Sequence, residues 1–547
     1  MNSIIKKPVS GIHKVLTSFS FRRDWIYLFF VVLAVAAALL LKYAMAWGPW
    51  AFSDSAAYIS AARNLVAGHG LTVSNPQGGF DPLTLHQPLY PLIMSFFLLF
   101  DIHPFTTSLV ISMASFSLSL LVFSAGIYYF SRSRMLAICC SLLFLASPNL
   151  IGMYDGAMSE PLYLFLTIVS FFAVLYYIRN QNAFMLYLAA TLTGLSILTR
   201  YIGLSNALCG AVLIFIFLPE NSKTSLQWSL LFTGFSILPP AVWLLLGSFE
   251  PKQSVRSWQI PTDMFKQFQL FIRQLFETFS DWLPFKKEYQ LSTEAIFPLV
   301  IILFSAVVIL FLAALLIKRN SGNQIENGAA ILVFSAGQFI LVYLTVFYVA
   351  IAISSLPPDV NTRTMVPLLP FLILLLPGLL YFYTIRSRWT ILMPLILILS
   401  CGWVLSSTRI AAYDLVTNRH LNGHGFTASY WQGSTVLKAA RELSQEIPWI
   451  SNQPALFLLY LNKFPYDLTT VYPEIIRDGT LPFGQGGSIL DRIFREEGAA
   501  LLLHQPQFEN DLRKLIGDSA EERVETFSAN LKIYQKSYDG TVYFYNR

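Results

Sequence analysis

The stretch Phe52-Ser-Asp-Ser-Ala-Ala-Tyr-Ile-Ser-Ala-Ala-Arg-Asn-Leu65 follows directly on the first long apolar run of the chain, Trp25 to Trp47. A charge, Asp54, therefore stands where a hydrophobic helix should leave a membrane. Behind it Tyr58, Ile59, Ala62, Leu65 and Val66 recur at helical spacing, with Ser60, Arg63 and Asn64 on the other side. That pattern predicts a helix lying along the membrane interface, ended by Gly68-His69-Gly70. Ser53 or Asp54 could simply cap this helix. Alternatively, the Asp54 carboxylate performs chemistry at the membrane surface.

The rest of the chain supplies the setting. Of its 547 residues 55% are hydrophobic and 12% charged, and its mean hydropathy is +0.56. Soluble domains carry about 25% charged residues, so this composition describes a polytopic membrane protein. The net charge of +6 comes from dispersed basic residues, which argues against nucleic acid as a partner. Cys139, Cys140, Cys209 and Cys401 all lie in apolar segments, so no structural disulfide is expected. The run 25–47 is too long for a signal-peptide core and reads as an uncleaved span.

A span needs roughly 20 apolar residues. Segments that meet this, wholly or with their flanks, are 25–47, 105–130, 135–147, 160–178, 182–199, 202–218, 228–248, 292–317, 328–353, 366–384 and 389–407, or about 11 spans. The piece 88–100 is too short to cross. Lysine and arginine set the orientation. The leader 1–24 holds Lys6, Lys7, Lys14, Arg22 and Arg23 and is assigned to the cytoplasm. Arg132, Arg134, Arg179, Lys223, Lys318, Arg319, Arg386 and Arg388 then fall on the same side. The opposite, outer side receives the loop 48–87, the segments 148–159 and 354–365, the turn at 199–201 and the long loop 249–291. The module 25–407 is thus a mainly α membrane unit, followed by an outer tail, 408–547. RELSQEIPWI, SILDRIFREEG and ENDLRKLIG in the tail read as helices, and AALLLH, ANLKIYQKS and TVYFYN as strands. The tail is expected to be a small soluble α/β domain.

Polar residues are informative in such a chain because their burial in hydrocarbon is costly. Several gather on the outer face. His86 and Gln87 precede an apolar run; His86 is either a polar loop residue or a metal or phosphate contact. Glu160 opens a span, with Pro161 behind it, as an acid answering the helix dipole would, or as a second acid facing the same cavity as Asp54. Asp155 is an alternative for that role, and Tyr154 a candidate to line the site. Arg363 and Arg200 stand near span ends on the side poor in basic residues. Each could snorkel to bulk lipid phosphate or grip a specific phosphate by its planar donor fork. An acid beside arginines at a membrane surface suits a reaction on a phosphate-bearing lipid: the acid takes a proton and the cation offsets charge on a departing phosphate. There is no Walker P-loop, no G-x-S-x-G elbow, no H-E-x-x-H and no C-x-x-C.

At these residues the chain resembles a known family. Asp54-x3-Tyr58-x4-Arg63-Asn64-Leu65, Gly68-His69-Gly70 and Gln87-Pro88-Leu89-Tyr90-Pro91 are similar to the first outer loop of GT-C fold glycosyltransferases. These are membrane enzymes related to the protein O-mannosyltransferases and the lipid A aminoarabinose transferases. Met158-Ser159-Glu160-Pro161-Leu162, Gly194-Leu195 to Thr199-Arg200, and Arg363 with Pro367 and Pro370 also match in order, over about residues 25–410. The resemblance implies an inverting sugar transfer from a polyprenyl-phosphate donor to a glycan, lipid or protein acceptor on the outer face of the plasma or inner membrane. It puts the catalytic base on Asp54 and the second acid on Glu160. It puts the donor phosphate on Arg363, with Arg200 as a weaker candidate. Tyr58, Arg63, His86, Gln87, Tyr154 and Asp155 are the remaining candidates to line the cavity. His86 stands where aminoarabinose transferases carry a metal-binding glutamate, so a divalent ion (Mg, Mn or Zn) at His86 and Glu160 is an added expectation. The competing readings are a transporter or flippase of lipid-linked sugars and a non-catalytic scaffold.

Overall fold

The computed structural model describes residues 25–83, 86–247, 263–283, 298, 301, 308, 324–354, 358–387, 392–470 and 482–545. The predicted span over 292–317, apart from residues 298, 301 and 308, and the parts 249–262 and 284–291 of the long loop lie outside the described residues.

The membrane unit is built from helices. Helix α1 is Trp25–Ala44, and α2, Ser53–Val66, follows one short strand-like link later. Strands β1 (Thr72–Ser74) and β2 (Phe80–Pro82) form a small antiparallel hairpin beside α2. Next come α3 (Leu89–Leu98), α4 (Pro104–Ser131), α5 (Arg134–Leu145), α6 (Pro148–Tyr154), α7 (Glu160–Asn180) and α8 (Ala183–Thr199). They are followed by α9 (Leu204–Phe217), α10 (Ser222–Gly247), α11 (Met264–Asp281), α12 (Gln324–Ile353), α13 (Thr362–Met365), α14 (Leu369–Ser387) and α15 (Leu392–Asp414).

Among the described residues seven helical stretches are long and apolar enough to cross a membrane: Trp25–Ala44, Pro104–Ser131, Glu160–Asn180, Ser222–Leu245, Gly328–Ile353, Thr362–Ile385 and Pro394–His420. An eighth is added if α5 and α6, bent by 61°, are one broken span. Each lies on a predicted span. The predicted spans 182–199 and 202–218 are also helices, Ala183–Thr199 and Tyr201–Phe217, but shorter ones. They reach less than the roughly 20 residues that a bilayer requires. The piece 88–100 is the short helix α3, as its length predicts.

Close packing in the bundle rests on small residues. Helix α4 buries Ser108, Ser112, Ser115, Ser119, Ser124 and Ser131 along its inner side. Small side chains there let neighbouring backbones approach, the usual solution where lipid supplies no hydrophobic drive. One continuous apolar core runs from Ile26 in α1 to Leu415 beyond α15.

After α15 the chain makes a π-helical turn, Leu415–His420, and enters the tail. Its elements are α16 (Thr435–Glu442), β3 (Trp449–Ser451), α17 (Pro454–Leu461), β4 (Tyr466–Asp467), α18 (Ile489–Glu496), β5 (Ala500–Leu503), α19 (Gln505–Ile516), α20 (Ala520–Ser528), β6 (Leu531–Lys536) and β7 (Thr541–Tyr545). The five strands form one mixed sheet, ordered β4-β3-β5-β7-β6. The pairs β3–β4 and β3–β5 are parallel, while β5–β7 and β7–β6 are antiparallel. The tail is therefore an α/β domain. One segment differs from its sequence reading: RELSQEIPWI, 441–450, is not a helix. Helix α16 stops at Glu442, and Trp449 and Ile450 form a buried strand. Pro448 disfavours helix at the residue before it, and the sheet gives Trp449 and Ile450 a fully buried strand to occupy.

The domain docks on α2 and α3 of the membrane unit. Leu458 and Leu459 of α17 share an apolar cluster with Tyr58, Ile59 and Ala62 of α2 and with Tyr90 and Met94 of α3. The helix bearing Asp54 is thus packed between α3 and α17 of the tail.

Candidate active site

The local structure explains how each side chain is presented. Residues Trp50 to Phe52 run extended between two other segments. The Trp50 N–H donates to the Asp155 carbonyl (2.9 Å), the Ala157 N–H to the Trp50 carbonyl (2.7 Å), and the Phe426 N–H to the Ala51 carbonyl (2.7 Å). Phe52 is the extended N-cap of α2, and its N–H donates to the Ser55 hydroxyl at 3.2 Å. The cap bond thus comes from Ser55, three residues on, and not from Ser53 or Asp54. The Asp54 carboxylate is left free of capping. Glu160 opens α7 ahead of Pro161, where an acid meets the positive end of the helix dipole. Arg200 ends α8 with an extended backbone. Arg363 lies in α13, whose start is fixed by reciprocal bonds between Asn361 and Thr364.

These four charges meet. The Arg363 guanidinium donates from Nη2 to Asp54 Oδ2 at 2.6 Å and from Nε to Glu160 Oε1 at 2.5 Å. Arg200 Nη1 pairs with the same Glu160 oxygen. Two acids and two arginines leave the cluster formally neutral. It is graded in exposure: the Glu160 side chain is 3% exposed, while those of Asp54 and Arg363 are 26% exposed each. The Asp54–Arg363 end therefore opens outward, and Glu160 is the buried anchor.

A neutral shell surrounds the anchor. The Ser159 hydroxyl donates to Glu160 Oε2 at 3.4 Å and lies 3.0 Å from the Tyr58 hydroxyl. The Tyr58 ring packs against His86 (4.8 Å) and edge-on to Tyr90 (5.2 Å). Burial first, then the Glu160 charge, raises the Tyr58 pKa, so the phenol keeps its proton. Burial lowers the pKa of His86 against the opposing pull of Asp54, which keeps its imidazole neutral at pH 7. Burial also opposes the Arg200 charge, but Glu160 outweighs it and raises its pKa.

Neither family models nor curated proteins give a match to the chain. Among solved structures, ArnT from Cupriavidus metallidurans matches in its apo state at 13% identity and a TM-score of 0.51, and bound to undecaprenyl phosphate at 12% identity and 0.51. Each match covers 94% of this chain and 97% of the other. The chain has the GT-C fold.

On this GT-C frame the remaining sequence-predicted residues divide. Tyr58 and His86 belong to the shell of the cluster. Gln87 is buried beside them, and its amide nitrogen has no hydrogen-bond partner among the described residues. Three residues do not line the site. Tyr154 is fully buried, donates to the Ser119 hydroxyl at 2.8 Å and packs on Phe116 and Phe144; it is core. Asp155 is paired with Arg419, which also holds Asp414 at 2.5 Å, so its charge fastens the end of α15 to α6. Arg63 donates to the Leu459 carbonyl at 2.8 Å, capping α17. It ties the tail to α2 and does not face Asp54. The sequence reading missed Ser159, Arg419 and Phe52. Ser159 lies inside the quoted motif, and Arg419 was detectable as a charge at the end of the last span.

The expected metal set finds no support in the residues present. No group of three or more His, Cys, Asp or Glu side chains capable of holding an ion occurs among the described residues. Glu160 already has two guanidinium partners, and His86 faces the Tyr58 ring.

Proposed function

We propose that the protein is a membrane glycosyltransferase. It moves a sugar from a polyprenyl-phosphate donor to a glycan, lipid or protein acceptor on the extracytoplasmic face of the plasma or inner membrane, with its leader in the cytoplasm. The observation that carries this reading is the Arg363 guanidinium shared between an outward-facing acid, Asp54, and a buried one, Glu160. The GT-C fold and the undecaprenyl phosphate bound by the ArnT neighbour support it, and the skew of lysine and arginine supports the sidedness.

In this mechanism the donor phosphate displaces Asp54 from Arg363. The freed carboxylate orients the acceptor hydroxyl or amine and accepts its proton as the acceptor attacks the anomeric carbon. The acceptor–carbon bond forms as the carbon–oxygen bond to the lipid phosphate breaks, and the anomeric centre inverts. Arg363, backed by Arg200, faces the charge that develops on the departing phosphate. Glu160 stays in place as the counter-ion that fixes both guanidinium groups. Tyr58 and His86 remain neutral and wall off the anchor.

The test is Asp54→Asn in proteoliposomes supplied with a polyprenyl-phosphate sugar and an envelope acceptor fraction. Loss of a general base costs about 10²–10⁴-fold in rate, so transfer should fall by that much while the protein remains folded. Transfer at the wild-type rate would remove Asp54 from the chemistry. Movement of the donor across the bilayer without transfer would point to a transporter instead.

A further inference from the structure

Beneath Arg363 lies a column of rings that the mechanism so far leaves unused. The guanidinium carbon sits 4.5 Å from the centre of the Phe52 ring. Phe52 stacks on Trp50 at 5.0 Å and 23°, and Trp50 stacks on His424 at 5.1 Å and 14°. The column bridges three separated parts of the chain. Its middle is pinned by the backbone bonds of Trp50, Ala51 and Phe426. Gly425, at φ +62°, makes room for it, since a Cβ there would strike the Trp50 indole and the Ala51 carbonyl.

From this geometry, and resting on the function proposed above, we infer that Phe52 is a positioning residue: its ring face holds the Arg363 guanidinium in the plane from which it receives the donor phosphate. Under that function Arg363 exchanges one anionic partner, Asp54, for another. An arginine that changes partners is free to rotate unless something else fixes it. Glu160 fixes one edge through Nε. A ring face fixes the plane, and it does so without competing for the N–H donors that the phosphate needs, because the attraction is to the ring quadrupole. Phe52 is also the N-cap of α2, two residues before Asp54. The same ring therefore registers the guanidinium against the base.

The experiment compares wild type with Phe52→Leu, Phe52→Tyr and Phe52→Trp in lipid nanodiscs. Leucine keeps the apolar bulk and loses the quadrupole; tyrosine and tryptophan keep it. Undecaprenyl phosphate is titrated into each, and the Arg363 Nε–H resonance is followed in protein labelled with ¹⁵N-arginine. A cation–π contact at a partly exposed site corresponds to about 2- to 30-fold in binding. Phe52→Leu should weaken undecaprenyl phosphate by that factor and move the Arg363 resonance out of the ring-current field. Phe52→Tyr and Phe52→Trp should restore both. Phe52→Leu binding like wild type with an unmoved resonance would overturn the inference, as would tyrosine and tryptophan failing as leucine does. These readouts need no turnover, so they separate from the proposed function, which stands or falls on transfer by wild type and Asp54→Asn.

Discussion

Asp54→Asn carries a second consequence, opposite in sign to its effect on rate. Asp54 holds Arg363 at 2.6 Å, so any phosphate that binds Arg363 must first compete with this carboxylate. Asparagine removes the competitor and takes the cluster from neutral to one net positive charge. Two unit charges about 4 Å apart interact by about 4 kcal/mol at an effective dielectric of 20 and about 1 kcal/mol in water. Both side chains are 26% exposed, so solvent screens the pair towards the lower value, about 1–2 kcal/mol. That corresponds to about 5- to 30-fold tighter binding. Titration calorimetry of wild type and Asp54→Asn with undecaprenyl phosphate reads this directly, and the gain should shrink as salt is raised. The variant would then be the inactive one that holds the lipid more tightly. Equal or weaker binding would refute the argument that Asp54 and the phosphate share one guanidinium.

Three other outcomes follow from the same structure. Glu160→Gln withdraws the buried partner of Arg200 and Arg363, which costs about 3–5 kcal/mol when one side of a buried ion pair is removed; a clear fall in the thermal unfolding midpoint is expected, and an unchanged midpoint would mean that the arginines do not depend on it. His504 in the tail is fully buried between Trp431 and Phe457, and neither ring nitrogen has a hydrogen-bond partner among the described residues. Burial pulls its pKa from 6.5 down to about 4 despite the opposing charge of Asp539, so stability is intact above pH 6.5 and falls by about 3 kcal/mol as the pH drops towards 4; chemical denaturation at pH 7 and pH 4.5 should show this slope, and His504→Phe should remove it. No group of three or more His, Cys, Asp or Glu side chains able to hold an ion occurs among the described residues, so treatment with a chelator should leave transfer within about twofold of the untreated enzyme, and a loss of tenfold or more would favour a divalent ion at the site.

Asp54, Glu160, Arg200 and Arg363 were legible in the sequence for one physical reason. In a chain with 12% charged residues, a charge at the end of an apolar run needs a partner or a purpose. The skew of lysine and arginine placed all four on one face in the sequence reading. What it could not assign was direction within that face. Arg63 and Asp155 satisfy the same criteria as Arg363 and Glu160, yet one caps α17 and the other pins Arg419. Those partners lie in the tail and at the end of the last span, 396 and 264 residues away. Local spacing holds no information about them. Phe52 was missed because an aromatic at a membrane edge is commonplace, and only the position of Arg363 gives its ring a task. Strands β3 and β4 were missed because runs of three and two residues are too short for a period-two pattern to appear.

The neutrality of the cluster gives the two acids a shared purpose under the proposed function. A bare pair of arginines at the membrane edge would be costly to bury and would take up any lipid headgroup phosphate. Pairing them with two equally buried acids would solve the cost but leave no way in for the donor. The observed gradient does neither: Glu160 is 3% exposed and holds both guanidinium groups, while Asp54 is 26% exposed and holds one. Only the outer acid is displaceable, and it is the one assigned to the chemistry. A donor phosphate that reaches Arg363 therefore releases the base in the act of binding. Under the proposed function Asp54 is freed only while a lipid phosphate occupies Arg363, which links lipid binding to catalysis through a single guanidinium without requiring any movement of the helices.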